Sequence, residues 1–223
     1  MKIESPDQYQ QSIDNLKCLF YGQSGAGKTT LACSFPNPLI IDLEGGLGKN
    51  RPYRVLLDEY KDLDTLISTL QDEKYFNSFD TIVIDSLNEL IEILIRDEVL
   101  AYNTKRIYDD QLTQGDYGKI GRDISKLVRK MMTELSPYYN LVFLCAENPL
   151  SYEGEQRSYN MTGKMLPAIL PRLMDIVGCV FTKGNDHLLT INNSSFAIGK
   201  NRYGVPATPF ACNYDELLNQ ISE

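Results

Sequence analysis

Histidine occurs only once in the 223 residues, at His187, beside the turn signal Lys183-Gly184-Asn185-Asp186. Chemistry built on paired imidazoles is therefore excluded, and His187 reads as a structural residue. Apolar stretches approaching the roughly 18 residues of a membrane-spanning helix are missing, and residues 1–6 lack the apolar centre of a signal peptide. No membrane association is expected, and a cytoplasmic location is. Cysteines are few and scattered: Cys18, Cys33, Cys145, Cys179 and Cys212 show neither metal-ligand spacing nor a disulfide framework, and three of them fall in apolar, strand-like stretches. They read as reduced core residues. An excess of positive charge is also lacking, since 22 Lys and Arg against 30 Asp and Glu give a net charge of −8. That balance excludes coating of nucleic acid through bulk charge and leaves room only for a local groove.

What the chain does have is a complete G-x-x-x-x-G-K-T loop, Gly22-Gln23-Ser24-Gly25-Ala26-Gly27-Lys28-Thr29, directly after the apolar run 16–21. The glycines permit backbone conformations in which successive N–H groups point into one concavity and cradle phosphate oxygens. A helix starting at Lys28 adds its N-terminal partial charge, and Lys28 brings a full positive charge to the β and γ phosphates. Thr29 offers a hydroxyl to Mg²⁺, and the next residue, Thr30, extends the nucleotide-contacting set. The expected cofactors are ATP and Mg²⁺.

Length and a 43% hydrophobic content suit one α/β domain spanning residues 1–223. Strands are expected over residues 16–21, 38–42, 53–57, 81–85, 141–146, 176–182, 187–191 and 196–200, and helices over 28–34, 63–73, 87–102, 119–135 and 214–221. Alternation of strand and helix in the first half implies a mostly parallel central sheet flanked by helices. The closely spaced last strands imply an antiparallel extension at the C-terminal edge. Residues 103–118, ending in Gly115-Asp116-Tyr117-Gly118, and residues 148–166 are expected as long loops. In helix 119–135, Ile120, Ile124, Leu127, Val128, Met131 and Leu135 mark a buried face, beside a basic stripe of Lys119, Arg122, Lys126, Arg129 and Lys130.

Two acidic strand ends complete the chemistry. Thr81-Ile82-Val83-Ile84-Asp85-Ser86 is a buried strand ending in a carboxylate, which places Asp85 beside the phosphate loop as a Mg²⁺ partner with Thr29. Ile40-Ile41-Asp42-Leu43-Glu44 carries Glu44 just past its strand, where it can deprotonate the water that attacks the γ phosphate, while Asp42 supports the turn.

Together, the phosphate loop, the D-x-E of Asp42-Leu43-Glu44 and the I-D-S of Ile84-Asp85-Ser86 resemble the ATPase core of the RecA family, in that family's order. The resemblance implies a RecA-like P-loop NTPase fold with Glu44 as catalytic base. Residues 198–206, with Lys200-Asn201-Arg202, resemble the K-x-R-x-G segment of hexameric replicative helicases. This implies that Lys200 and Arg202 reach the γ phosphate of a neighbouring subunit, in a homo-oligomer with ATP sites at its interfaces. The nearest overall resemblance is to phage-encoded RecA-like proteins of the Sak-type single-strand annealing group. It implies DNA-stimulated ATP hydrolysis on single-stranded DNA, with a phage single-strand-binding or replication protein as a further partner. By the same resemblance the loops 103–118 and 148–166 face single-stranded DNA, with Tyr152 and Tyr159 against bases, Arg157 and Lys164 against phosphates, and Glu153 and Glu155 opposing. Where RecA has a γ-phosphate-sensing glutamine, this chain has Glu147 and Asn148. The alternative is a nucleotide-gated interaction module, such as a helicase loader or replication accessory. A small-molecule kinase is a weaker fit, because no Arg-rich lid segment follows the core.

Overall fold

Each central strand is an apolar run because it is covered on both faces, the pattern of a parallel sheet inside an α/β layer. The computed structural model describes residues 15–49, 52–57, 59–76, 78–100, 112–150, 156–204 and 208–222. In chain order the elements are β1 (Lys17–Gly22), α1 (Lys28–Cys33), β2 (Pro38–Asp42), β3 (Tyr53–Val55), α2 (Asp62–Thr69), α3 (Glu73–Phe76), β4 (Thr81–Asp85) and α4 (Leu87–Leu94), which continues as a π-helical segment (Ile95–Leu100). There follow α5 (Gln114–Glu134), β5 (Asn140–Ala146), α6 (Met165–Leu173), β6 (Ile176–Lys183), β7 (Asp186–Thr190), β8 (Lys200–Asn201), β9 (Phe210–Ala211) and α7 (Tyr214–Ser222).

The strands form one sheet in the order β3-β2-β4-β5-β1-β6-β7-β9, with β8 pairing on β6. From β3 to β6 every pairing is parallel, and β7, β8 and β9 add antiparallel. The architecture is thus the expected α/β one, a mostly parallel sheet with an antiparallel edge. Side chains alternate between two cores. Leu19, Tyr21, Ile82, Ile84, Leu141 and Phe143 pack on the side of α2, α4, α5 and α6, while Cys18, Phe20, Val83, Val142 and Leu144 face α1 and α7. Full burial of each such aliphatic side chain contributes about 1.5–3 kcal/mol. All five cysteines are free, and Cys18, Cys145 and Cys179 are buried in this core.

Four expectations are corrected. Residues 114–118 are not loop but the first turns of α5, because Thr113 and Asp116 form a capping box that outweighs the low helix propensity of Gly115 and Gly118. The helix expected over residues 63–73 breaks at 70–72 into α2 and α3. Residues 196–199 form no regular strand; only a bridge from Ala197 to Arg157 remains, and pairing starts at Lys200. Finally, residues 165–166 are not the end of the second loop but open α6, a helix not among those expected. Pro167 falls in its first turn, which needs no N–H donor, but Pro171 leaves the Pro167 carbonyl without its i+4 partner. The Tyr159 hydroxyl donates to that carbonyl at 3.3 Å.

The first expected loop lies outside the described residues over 103–111, as do Tyr152, Glu153 and Glu155 of the second. Among the described residues, no helix is long and apolar enough to cross a membrane.

Candidate active site

The parallel order fixes where chemistry can occur, because β1, β2, β4 and β5 all end at the same side of the sheet. β1 runs directly into the phosphate loop. A Cβ at Gly22 would lie 2.1 Å from the Val180 carbonyl oxygen of β6, so only glycine lets the loop leave the sheet at this point. Lys28 Nζ donates to the carbonyls of Gly22 at 2.9 Å and Gln23 at 3.0 Å, which fixes the ammonium at the loop.

Asp42 and Asp85 are the last residues of β2 and β4 and stand side by side in register. Asp85 Oδ2 accepts from the Thr29 hydroxyl at 2.8 Å, joining the fourth strand to the start of α1. Asp42 is turned to the chain that follows it: Oδ1 accepts from the Gly45 N–H at 2.8 Å, and Oδ2 pairs with Arg54 at 3.3 Å. Glu44 is exposed, and its Oε1 accepts a short hydrogen bond from the Ser86 hydroxyl. Lys28, Glu44, Ser24, Leu43, Ala146 and Glu89 line one cleft of about 500 Å³. Glu89, in the first turn of α4, is a site residue that sequence reasoning did not single out, and Ser86, quoted only as part of the I-D-S motif, takes the further part of holding Glu44. Glu89 has no local signal, because it acquires its place from α4 beginning where β4 ends.

Burial pushes the Asp85 carboxyl up from its ordinary value, the Thr29 hydrogen bond and Lys28 oppose this, and the nearby Glu44 and Asp42 charges add to the rise. Asp85, Glu44 and Asp42 thus gather hard oxygen donors close to Lys28. Among the described residues, no cluster of three or more metal-ligating side chains is present. Such a donor set fits Mg²⁺, which takes one or two protein oxygens and completes its shell with phosphate and water. Thr29 and Asp85 would hold it, and it would neutralise developing charge on the phosphates.

The same pKa shift gives a stability prediction. A carboxyl with a raised folded-state pKa costs stability once ionised; the cost is absent below the ordinary carboxylate range and complete above the folded pKa. Asp85→Asn is therefore expected to raise the melting temperature of the nucleotide-free protein at pH 7, at about 2–4 °C per kcal/mol removed. No gain is expected below about pH 4. Thermal unfolding of the two proteins at both pH values checks this, and Mg²⁺-dependent turnover should fall in the same variant.

β5 separates β1 from β4, so the residue after it abuts the phosphate loop. The Glu147 N–H donates to the Gly22 carbonyl at 3.2 Å, and its buried carboxylate pairs with Arg157 at 3.4 Å. The Arg157 guanidinium lies over the rings of Phe181, at 5.6 Å, and Phe196, at 5.0 Å. Arg157 also lines a small cavity with Gln23, Ser24, Gly25 and Ala26 on the outer side of the loop. Asn88 ties the region together: its amide donates to the Asn160 carbonyl at 3.0 Å, and its Oδ1 accepts from the Ala146 N–H at 2.7 Å. Tyr159 packs edge-on against Tyr21. Arg157 and Tyr159 are thus engaged within the chain, whereas Lys164 is exposed.

Lys200 and Arg202 are not brought to the phosphate loop of their own chain. Lys200 pairs with Val177 near the start of β6, at the opposite end of the sheet. Its ammonium donates to the carbonyls of Pro171, Arg172 and Met174 and so closes the C-terminus of α6. Arg202 pairs with Asp175 at 2.9 Å and donates to the Arg172 carbonyl at 3.0 Å.

The model of one family, described as an AAA domain, matches residues 14–203 and so takes in the phosphate loop, both acidic strand ends and the antiparallel edge as far as β8. The chain belongs to the AAA domain family. Membership brings a nucleotide-binding, P-loop ATPase character that agrees with Lys28, Thr29, Asp85 and Glu44 meeting at the carboxyl ends of the parallel strands of this AAA domain. No curated protein matches the chain.

Proposed function

We propose that this AAA domain binds ATP with Mg²⁺ through residues 22–30, hydrolyses it with Glu44 as general base, and works as an oligomer on single-stranded DNA. The observation that carries the hydrolytic part is the shared cleft, with Lys28 on one wall and Glu44, held by Ser86, on another. A water between Glu44 and the terminal phosphate loses its proton to the carboxylate as its oxygen attacks the γ phosphorus, and the bond from that phosphorus to the bridging oxygen breaks to release ADP. Lys28 and the loop N–H groups meet the charge that develops. The γ-phosphate sensor is read as Glu147 or Asn148, the two residues that follow β5, the first with its backbone N–H on the Gly22 carbonyl of the loop.

For the DNA part, support comes from α5 and from the resemblance to the Sak-type group of phage proteins. The six apolar residues expected on its inner face are buried, and Arg122, Lys126 and Arg129 are exposed beside them. Phosphates of a single strand suit such a row. In the oligomer, Arg202 is the better placed of the two C-terminal basic residues to reach a neighbour, since its side chain is 43% exposed while Lys200 is committed to three carbonyls. A phage single-strand-binding or replication protein is the partner class this reading adds.

A second reading, a nucleotide-gated module that contacts another protein instead of DNA, is favoured by the internal engagement of Arg157 and Tyr159. Steady-state ATP turnover with and without single-stranded DNA, at low and moderate salt and several protein concentrations, separates the two. Stimulation that weakens with salt supports action on single strands. Turnover indifferent to DNA assigns the protein to the second reading.

A further inference from the structure

The only histidine of the chain does not sit idle in the edge hairpin. β7 folds back on β6 with His187 opposite Thr182, which brings its exposed side chain to the same end of the sheet as the phosphate loop. There Nδ1 lies 2.8 Å from the Ala26 carbonyl oxygen. The ring rests on Gly27, where a Cβ would stand 3.1 Å from Nδ1 and where φ is +105°. From behind, the Cys212 N–H donates to the His187 carbonyl at 3.1 Å and anchors this end of the hairpin.

A carbonyl oxygen only accepts, so Nδ1 must carry the hydrogen. The neutral ring therefore presents Nε2 as an acceptor. Its direction follows from the strand order. Glu44 and Asp85 follow or end β2 and β4, on one flank of β1, while His187 belongs to β7 on the opposite flank. A triphosphate whose terminal phosphate lies by Lys28 and Glu44 then has its nucleoside towards β6 and β7.

We propose that His187 is a nucleoside-recognising residue, with Nε2 accepting a hydrogen bond from the ribose 2′-hydroxyl or the exocyclic amine of the base. This rests on the nucleotide-binding reading of the phosphate loop and adds to it a means of telling a nucleotide from a bare polyphosphate. Asn is the diagnostic substitution, because its amide can keep the bond to Ala26 while offering nothing at the position of Nε2.

The test is equilibrium titration of the wild type, His187→Asn and His187→Ala with ATP and with inorganic tripolyphosphate, both in Mg²⁺. The expected result for His187→Asn is about a five- to tenfold loss of ATP affinity, the size of one hydrogen bond, with tripolyphosphate affinity within about twofold of wild type. An equal loss for both ligands would make His187 a support of the loop alone and overturn the proposal, as would unchanged ATP affinity. A wild type that binds neither ligand would remove the nucleotide reading itself. 2′-Deoxy-ATP and inosine triphosphate then identify the donor, since the analogue lacking it should no longer respond to His187→Asn. If both respond as ATP does, Nε2 takes no hydrogen bond from either group, and the assignment is wrong.

Discussion

Glu44→Gln is expected to retain ATP and to hydrolyse it about 10²–10⁴-fold more slowly, the contribution typical of a positioned general base. The amide keeps the size of the side chain and an oxygen for the Ser86 hydroxyl, so the cleft and its contacts stay in place. What is lost is the negative charge and with it the ability to take a proton. Binding of a fluorescent ATP analogue should therefore be within a few-fold of wild type, and single-turnover hydrolysis should carry the whole effect. Glu89 lines the same cleft and is the internal control. Should Glu89→Gln stop turnover while Glu44→Gln leaves it unchanged, the base is on α4 and not after β2.

The second large effect concerns stability. Arg157→Ala removes the partner of a carboxylate whose side chain is fully buried, and such a change costs about 3–5 kcal/mol. Loss of the guanidinium from the faces of Phe181 and Phe196 adds about 0.5–2 kcal/mol. A fall in melting temperature of about 10 °C or more follows for a domain of this size. Burial already holds the Glu147 carboxyl above its ordinary range, with Arg157 and Lys28 pulling it down. Without Arg157 it rises further. The destabilisation should then be smallest in acid, where the carboxyl is protonated, and grow as pH rises through the folded-state pKa. Glu147→Gln in the same chain should recover much of the loss, because no charge is left unpaired. A double-mutant cycle by thermal unfolding checks the coupling, and additive effects would mean that the two side chains do not act as a pair.

The parts of this protein legible in its sequence are those written locally. A phosphate loop between an apolar run and a helix is one segment. A parallel strand buried on both faces is a run of Ile, Leu and Val whose final acid emerges where the strand ends. Asp42 and Asp85 were readable for that reason, and their alignment in register follows once β2 and β4 are neighbours. The face of α5 was readable from its 3.6-residue period.

Other parts depend on who packs against whom. Asn88 and Glu89 enter the site because α4 begins at the end of β4, a strand that lies between β2 and β5. His187 meets Ala26 only because a hairpin beginning near Ile176 turns back at the height of the loop. α6 carries Pro171 in its interior, and the tyrosine hydroxyl that serves the orphaned Pro167 carbonyl lies outside the helix, so nothing local marks it. Lys200 and Arg202 carry a sequence resemblance to trans-acting residues and yet are tied to α6 and Asp175 within their own chain, a competition that sequence alone does not display.

The central claim is that the loop at residues 22–29, with Lys28 at its mouth, holds the phosphates of ATP. Equilibrium binding of ATP with Mg²⁺ to wild type and to Lys28→Ala tests it most directly. Lys28 donates to two carbonyls of its own loop and lines the cleft with Glu44, so its removal takes away both loop order and, among the described residues that line that cleft, the full positive charge opposite the acids. Saturable binding by wild type and a loss of about 100-fold or more in the variant is the predicted result, a difference of about 2.7 kcal/mol. Equal affinity in the two proteins, or no binding by either, would contradict it.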